Sequence, residues 1–261
     1  MIYLITALDA EARALVDYYH LKRDTSLPYT LYTNEQMVLL VSGMGKSNAL
    51  MAVSALLGWR IPNLEDCMIN IGICGAPLTY EIGEALLIHQ IQDGARRYYP
   101  DILYTHSLRE CSLKCVDDAQ VILHEYPVDM ESSSILQAAS RFFKLHQMAF
   151  IKIVSDHFTP ETVTKEGVIE LVRSNIPRLD EVCTALEKVQ YIEPLFSERE
   201  QKEIELLKTY FTKSQASALD DALIYFRLKH PQSALSVHPD IPDSKRERSR
   251  LLEELITQLT A

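Results

Sequence analysis

Three carboxylates of this sequence lie where a predicted strand or loop meets a helix: Glu11, Glu131 and Asp156. Ligands of open α/β folds collect at that edge of the sheet, and a carboxylate there can donate a proton, take one or accept hydrogen bonds. Each residue also has a structural interpretation: Glu11 as a partner of a helix dipole, Glu131 as the start of a helix, and Asp156 as an N-cap. We therefore treat the three as candidate functional residues.

A glycine turn, Gly43-Met44-Gly45-Lys46-Ser47, ends like a phosphate-binding loop. The Walker A motif, however, requires a further glycine five residues before its Gly-Lys pair, and Leu40 occupies that position. Without that glycine the backbone cannot wrap a triphosphate. The turn remains either a tight strand-to-helix connection, which needs a positive φ, or a ligand contact.

The elements that would position these residues alternate between strand and helix patterns. Apolar, β-prone runs predict strands over 2–6, 36–42, 67–73, 84–92 and 149–154. Helical spacing predicts helices over 9–19, 46–59, 131–144 and 161–189, with Pro177 breaking or kinking the last one. This alternation indicates an α/β fold with a mixed or parallel sheet and helices on both faces.

After Pro194 the pattern changes to segments rich in Glu and Lys. They predict helices around 198–211, 214–229 and 243–260, with a loop over 230–242. We therefore expect two parts, a catalytic domain over 1–193 and a helical C-terminal extension over 194–261.

Composition excludes several classes of function. Of the 261 residues, 47% are hydrophobic, which fits a globular protein, and the formal net charge is -10. Nucleic-acid binding needs clustered Lys and Arg, but the one dense basic run, 245–250, is interspersed with acidic residues and is interpreted as a solvated helix face. No nucleic-acid partner is expected.

Targeting and metal signals are equally weak. The first twelve residues have no basic region and an apolar run of only about six residues, so they predict neither a signal peptide nor a membrane span. The five cysteines form no CxxC pair, and the spacing of Cys111, Cys115 and His106 does not suit zinc. These features predict a cytoplasmic protein with reduced thiols, no metal and no membrane partner.

Five motifs, in the same order, resemble those of the methylthioadenosine/adenosylhomocysteine nucleosidases within the purine nucleoside phosphorylase superfamily. They are the N-terminal strand and acidic turn, a second glycine turn, the central Gly-rich strand end, a ribose-binding segment and a Ser-Asp pair: 5–11, 42–46, 70–76, 128–131 and 154–156. The resemblance implies a nucleoside phosphorylase-like mixed sheet flanked by helices, and cleavage of the bond between a ribose and a purine-type base.

The resemblance also implies a role for each candidate. Glu11 would activate water, and Asp156 beside Ser155 would protonate the departing base. Met130 would pack on the sugar while Glu131 holds its hydroxyls. The remaining substrate-binding positions are Ala7, Gly43 and Gly72. The implied partner is a small-molecule nucleoside, the implied assembly is a homodimer or higher homo-oligomer, and neither metal nor organic cofactor is implied.

Two departures from the family pattern favour hydrolysis over phosphorolysis. Ile73 occupies the strand-end position where superfamily members carry a Ser that binds phosphate or water, and Asn70 stands where phosphorylases carry an Arg. The segment 105–127 is also shorter than its counterpart, with 116–119 only loosely resembling a base-contacting loop. The alternatives are a phosphorylase of the same fold and a degenerate homologue that binds a nucleoside or a protein without turnover.

Overall fold

The computed structural model describes residues 1–119, 121–190, 195–231, 233, 235, 242 and 244–260. These residues form two compact units, Met1–Ile192 and Glu193–Ala261.

Ten strands of the first unit form one mixed sheet. In chain order they are β1 Ile2–Thr6, β2 Lys22–Asp24, β3 Thr30–Thr33, β4 Met37–Val41, β5 Cys67–Gly75, β6 Ala85–Asp93, β7 Arg96–Tyr98, β8 Arg109–Cys115, β9 Val128–Asp129 and β10 Met148–Asp156. The predicted strands are all present, with bounds shifted by up to two residues. Strands β2, β3, β7, β8 and β9 were not predicted, because they are short or carry charged residues that break the apolar pattern.

The long strand β5 organises the sheet. It pairs in parallel with β1 on one side and with β10 on the other. From β10 the sheet continues through β6 and β8 to β9, which returns to pair with the end of β5 at Gly75. This closure brings the carboxyl ends of β1, β5 and β10 together beside β9, so the motifs at those ends meet.

Helices cover both faces of the sheet. They are α1 Asp9–Tyr18, α2 Lys46–Trp59, α3 Ser132–Ala139 and α4 Lys165–Gln190. One apolar cluster joins α2 and α3 to one sheet face, and a second cluster joins α1 and α4 to the opposite face. Strand β1 contributes residues to both clusters, because successive side chains of a strand point to opposite faces of the sheet. Tyr3 and Ile5 belong to the first cluster, and Ile2 and Leu4 belong to the second.

Two helix predictions need correction. The helix predicted over 131–144 ends at Ala139, and Pro177 does not break α4, which runs unbroken from Lys165 to Gln190. A proline within a helix costs about 3 kcal/mol. Here the residues Val172, Ile176 and Leu179 around it are buried against the sheet, and burying each such side chain stabilises the helix by roughly 1.5–3 kcal/mol.

The second unit is helical. Its helices are α5 Glu198–Lys208, α6 Lys213–Lys229 and α7 Lys245–Thr260, which share one apolar cluster. Ser197 and Thr212 cap α5 and α6 by accepting the N–H groups of Glu200 and Gln215. Most of the loop predicted over 230–242 lies outside the described residues.

Candidate active site

A cavity of about 280 Å³ opens at the carboxyl ends of β1, β5 and β10. Glu11, Glu131 and Asp156 all line it. Its other walls come from the same strand ends and from the segment before α4: Ala7, Leu8, Met44, Ile73, Cys74, Gly75, Val116, Ala119, Val128, Asp129, Met130, Ser155, Pro160 and Val163. The three candidate carboxylates therefore face one space, although more than 140 residues separate the first from the last.

Glu11 lies in the first turn of α1, directly after β1, and it is only 2% exposed. Its Oε2 accepts the N–H groups of Ala7 at 2.8 Å and Leu8 at 2.9 Å, and its Oε1 accepts the N–H of Ile73 at 2.8 Å. Burial raises the pKa of Glu11, while these three bonds and the nearby Lys152 oppose the rise. A carboxylate has about four acceptor positions, so roughly one remains for a ligand or water.

Gly72 provides the space that Glu11 occupies. A Cβ built on Gly72 would lie 2.7 Å from Glu11 Oε1, closer than carbon and oxygen can approach. Because three backbone N–H groups fix that carboxylate, it could not move away without losing bonds. Glycine at position 72 is therefore required by the position of Glu11.

Glu131 precedes α3 and is held from a different direction. Its Oε1 accepts the N–H of Gly45 at 2.7 Å, across 86 residues of sequence. Gly45 has a φ of +89°, a conformation that favours glycine, so the glycine turn serves to aim a backbone donor at this carboxylate. Burial, followed by repulsion from Asp129, raises the pKa of Glu131 to about 7.

A buried ion pair lies beside Glu131. Lys152 Nζ is 2.8 Å from Asp129 Oδ2, and Lys152 is only 2% exposed. Ser132 also donates its N–H and hydroxyl to Asp129, and the same hydroxyl lies 3.2 Å from Asn70 Oδ1. Burial lowers the pKa of Lys152, but the carboxylates of Asp129 and Glu131 outweigh it and the net shift is upward.

Lys152 and Asp129 were not predicted from the sequence as part of the site. The sequence feature that could have revealed the pair is Lys152 itself, the single charged residue in the apolar strand predicted over 149–154. A lysine in such a position requires a buried partner, and Asp129 was the carboxylate next to the Met130-Glu131 motif.

Asp156 ends β10 on the other side of the cavity. Its Oδ2 is 2.7 Å from the hydroxyl of Ser155, and its Oδ1 accepts the N–H of Thr159 at 2.8 Å. The pairing of β10 with β5 shifts register between Val154 and Asp156. This irregularity places both Ser155 and Asp156 on the cavity lining, although consecutive residues of a regular strand face opposite ways.

Not every residue expected to bind substrate lines the cavity. Ala7, Met130 and Ser155 do, whereas Gly43 and Gly72 are absent from the described lining. Gly43 instead adopts a φ of +83° and donates its N–H to the carbonyl of Ala7. Asn70 is also buried away from the cavity and donates its side-chain amide to the carbonyl of Ile5.

The polar part of the described lining is acidic. Four carboxylates contribute to it, and no Lys or Arg does. The rest is largely apolar, which suits a flat heterocycle or an alkyl group.

The described residues contain no group of three or more His, Cys, Asp and Glu side chains that could hold a metal ion. Nor does any described helix combine the length and hydropathy needed to cross a membrane.

Comparisons with known proteins place this fold. No protein-family model matches the chain, and no curated protein matches its sequence. Among solved structures, the chain is similar to the 5′-methylthioadenosine/S-adenosylhomocysteine nucleosidase of Streptococcus pneumoniae with a transition-state inhibitor. The two share 20% identity with a TM-score of 0.59, and the match covers 71% of this chain and 99% of that one.

Two Helicobacter pylori structures are also similar. The nucleosidase of the same name matches at 12% identity and a TM-score of 0.55, covering 70% of this chain and 97% of that one. A futalosine hydrolase mutant matches at 11% identity and a TM-score of 0.55, and the match covers 70% of this chain and 98% of that one. The chain therefore has the fold of these enzymes, as its sequence motifs predicted.

Proposed function

We propose that this protein is a nucleosidase that hydrolyses the N-glycosidic bond of a purine-type nucleoside, and that residues 1–193 form its catalytic part. The observation that carries the proposal is the convergence of Glu11, Glu131 and Asp156 on one cavity. The similarity to solved nucleosidases and to a futalosine hydrolase supports the same reaction class.

The chemistry of the bond explains the need for carboxylates on two sides. As an N-glycosidic bond breaks, positive charge builds on the sugar and negative charge on the departing base. A proton delivered to the base therefore lowers the barrier directly. In our proposal Asp156 delivers that proton, and Ser155 and Thr159 hold its carboxyl group in place.

The sugar lies against the opposite wall in this proposal. Glu131 accepts hydrogen bonds from the ribose hydroxyls, and Met130 packs on the sugar ring. Glu11 uses its remaining acceptor position to take a proton from water, which attacks the sugar as the base leaves. Lys152 is a positioning residue: its charge offsets the repulsion among Asp129, Glu131 and Glu11.

The charge of the cavity favours water over phosphate as the nucleophile. A phosphate dianion needs several donors such as Arg or Ser to offset its desolvation. The described lining provides no Arg or Lys, and Glu11 would place a further negative charge beside the anion. Ile73, at the strand-end position, contributes only an apolar side chain, and its N–H is already bonded to Glu11.

The experiment is an assay of free base from a panel of purine nucleosides, with and without phosphate. We expect base release and free sugar in phosphate-free buffer, and loss of most of the rate in Glu11→Gln. Ribose 1-phosphate as the product, with strict dependence on phosphate, would establish a phosphorylase. Saturable nucleoside binding without base release from any panel member would identify a binding homologue.

A further inference from the structure

We propose that the protein has a second ligand site, separate from the candidate active cavity, which binds a small phosphate monoester. The site is a cavity of about 310 Å³ between β6, β7, β8 and the segment 124–126. The residues that carry the argument are Gln92, Arg97, Lys114, His124 and Tyr126. The two cavities have no lining residue in common.

The sheet places two cations side by side in this second cavity. Gln92 of β6 pairs with Arg97 of β7 on one side and with Lys114 of β8 on the other. Directly paired residues project from the same face of a sheet, and adjacent strands lie about 4.8 Å apart. Arg97 and Lys114 therefore flank Gln92 at roughly 10 Å from each other along the backbone, a span that two long side chains can close around one anion.

Neither cation is neutralised by the part of the chain that the structure describes. Arg97 donates only to the carbonyls of Gly94 and Arg96, which leaves its other guanidinium N–H groups available. Lys114, half-buried, has His124 as its one polar contact among the described residues. By contrast, Lys46 and Lys152 each contact a carboxylate.

The contact between Lys114 and His124 supplies Lys114 with no negative charge. Lys114 Nζ lies 3.4 Å from His124 Nδ1, and burial, followed by this positive charge, lowers the pKa of His124. A neutral imidazole can accept from Lys114 but cannot balance its charge, whereas a bound anion would accept from Lys114 and offset that charge. Glu125 also lines the cavity and is exposed, as Arg97 is, but none of the described ion pairs joins it to Arg97 or Lys114.

The charge and size of the cavity select the class of ligand. Two unpaired cations balance a dianion, and a phosphate monoester carries close to two negative charges at pH 7. The volume exceeds that of a bare phosphate, while Gln92 and Tyr126 offer hydrogen bonds to an attached organic group. Inorganic phosphate has the same charged group but leaves those partners unused.

The test is calorimetric titration of the whole chain with ribose 5-phosphate, inorganic phosphate, ribose and citrate. We expect saturable binding of ribose 5-phosphate, weaker binding of inorganic phosphate and none of ribose. Binding of citrate as tight as that of the sugar phosphate would overturn the choice of a phosphate ester, and absence of saturable binding by both phosphates would overturn the site itself.

Matched variants locate the binding. Arg97→Met is expected to weaken ribose 5-phosphate binding by about 10- to 100-fold, because it removes charge-assisted hydrogen bonds. Arg96→Met makes the same change on the same strand but outside the described cavity lining, so it should bind normally. Equal binding by the two variants contradicts the proposal, and so does loss of binding in Glu131→Gln, which would place the ligand in the active cavity instead.

An NMR titration of His124 gives a readout that needs no variant. In the unsubstituted protein, ribose 5-phosphate should raise the pKa of the His124 imidazole, since the dianion stabilises its protonated form. A pKa that is unchanged at saturating ligand would remove His124 from the site and contradict the geometry proposed here. Because nucleoside turnover is not used in these measurements, they stand or fall independently of the proposed hydrolase.

Discussion

The two sides of the candidate active cavity hold their carboxylates in different ways. Glu11 and Glu131 each accept one backbone N–H group from a distant part of the chain, Ile73 and Gly45 respectively. Both lie near the buried pair of Lys152 and Asp129. Asp156 is held locally, by the hydroxyl of Ser155 and the N–H of Thr159. One side depends on long-range contacts, whereas the other depends on a single strand end.

This difference corresponds to the two tasks we propose. The sugar side must present two carboxylates to one ribosyl group without their repelling each other, so it needs a buried counter-charge and several fixed donors. The base side must move one proton, and a locally supported carboxyl group is sufficient for that. Substitutions on the two sides should therefore have different effects: those on the sugar side can change stability and pKa as well as turnover, whereas those on the base side should change turnover alone.

The largest effect is expected from Asp156→Asn. An amide keeps the shape of the side chain but cannot deliver the proton, so kcat should fall by about 10²- to 10⁴-fold while nucleoside binding is largely retained. Steady-state kinetics and equilibrium binding of a nucleoside check this. Asp101→Asn, at an exposed position outside the described lining, is the control for loss of charge. Near-normal kcat in Asp156→Asn would reject Asp156 as the acid.

Lys152→Met should act through stability. Removing one partner of a buried ion pair leaves Asp129 uncompensated, and the free energy of unfolding should fall by about 3–5 kcal/mol. Urea denaturation measures it, with Lys22→Met on the exposed strand β2 as control. The double variant that adds Asp129→Asn should regain part of the loss, because the buried charge is then gone. An unchanged free energy of unfolding in Lys152→Met would mean that the pair contributes nothing.

Gly72→Ala should lower activity without unfolding the protein. The new Cβ would displace the Glu11 carboxylate, and misplacing a reacting group by about 1 Å can cost about 10²-fold in rate. Gly58→Ala in α2 is the matched control, since its added Cβ meets no atom within 4 Å and alanine favours a helix by about 1 kcal/mol. Equal activity of the two variants would show that Gly72 does not position Glu11.

The smallest expected effect is the pH dependence of stability and turnover that Glu131 causes. With a pKa of about 7 against an ordinary 4.5, Glu131 stays protonated in the folded protein between these values after the unfolded chain has lost its proton. The free energy of unfolding should therefore fall as pH rises through this window. Turnover should rise across pH 7, as the carboxylate becomes able to accept from both ribose hydroxyls. Glu131→Gln should flatten the stability profile, and an unaltered slope would contradict the raised pKa.

Much of the fold and part of the candidate site could be predicted from the sequence. The strand 2–6 and the helix 46–59 have the predicted bounds, because their apolar patterns are unbroken and are closed by turns. The short strands β2, β7 and β9 were missed because two or three residues carry too little periodicity. The continuity of α4 through Pro177 was missed because it depends on packing against the sheet, which overrides local preference.

What the sequence determined by itself was the set of chemical groups: three carboxylates at strand ends, a glycine turn and a Ser-Asp pair, in an order that resembles the nucleosidases. What only the tertiary structure decided was how these groups are held. The donor that Gly45 aims at Glu131, the space that Gly72 leaves for Glu11 and the pairing of Lys152 with Asp129 each join distant parts of the chain. Such contacts arise from sheet register and closure, and no local pattern encodes them.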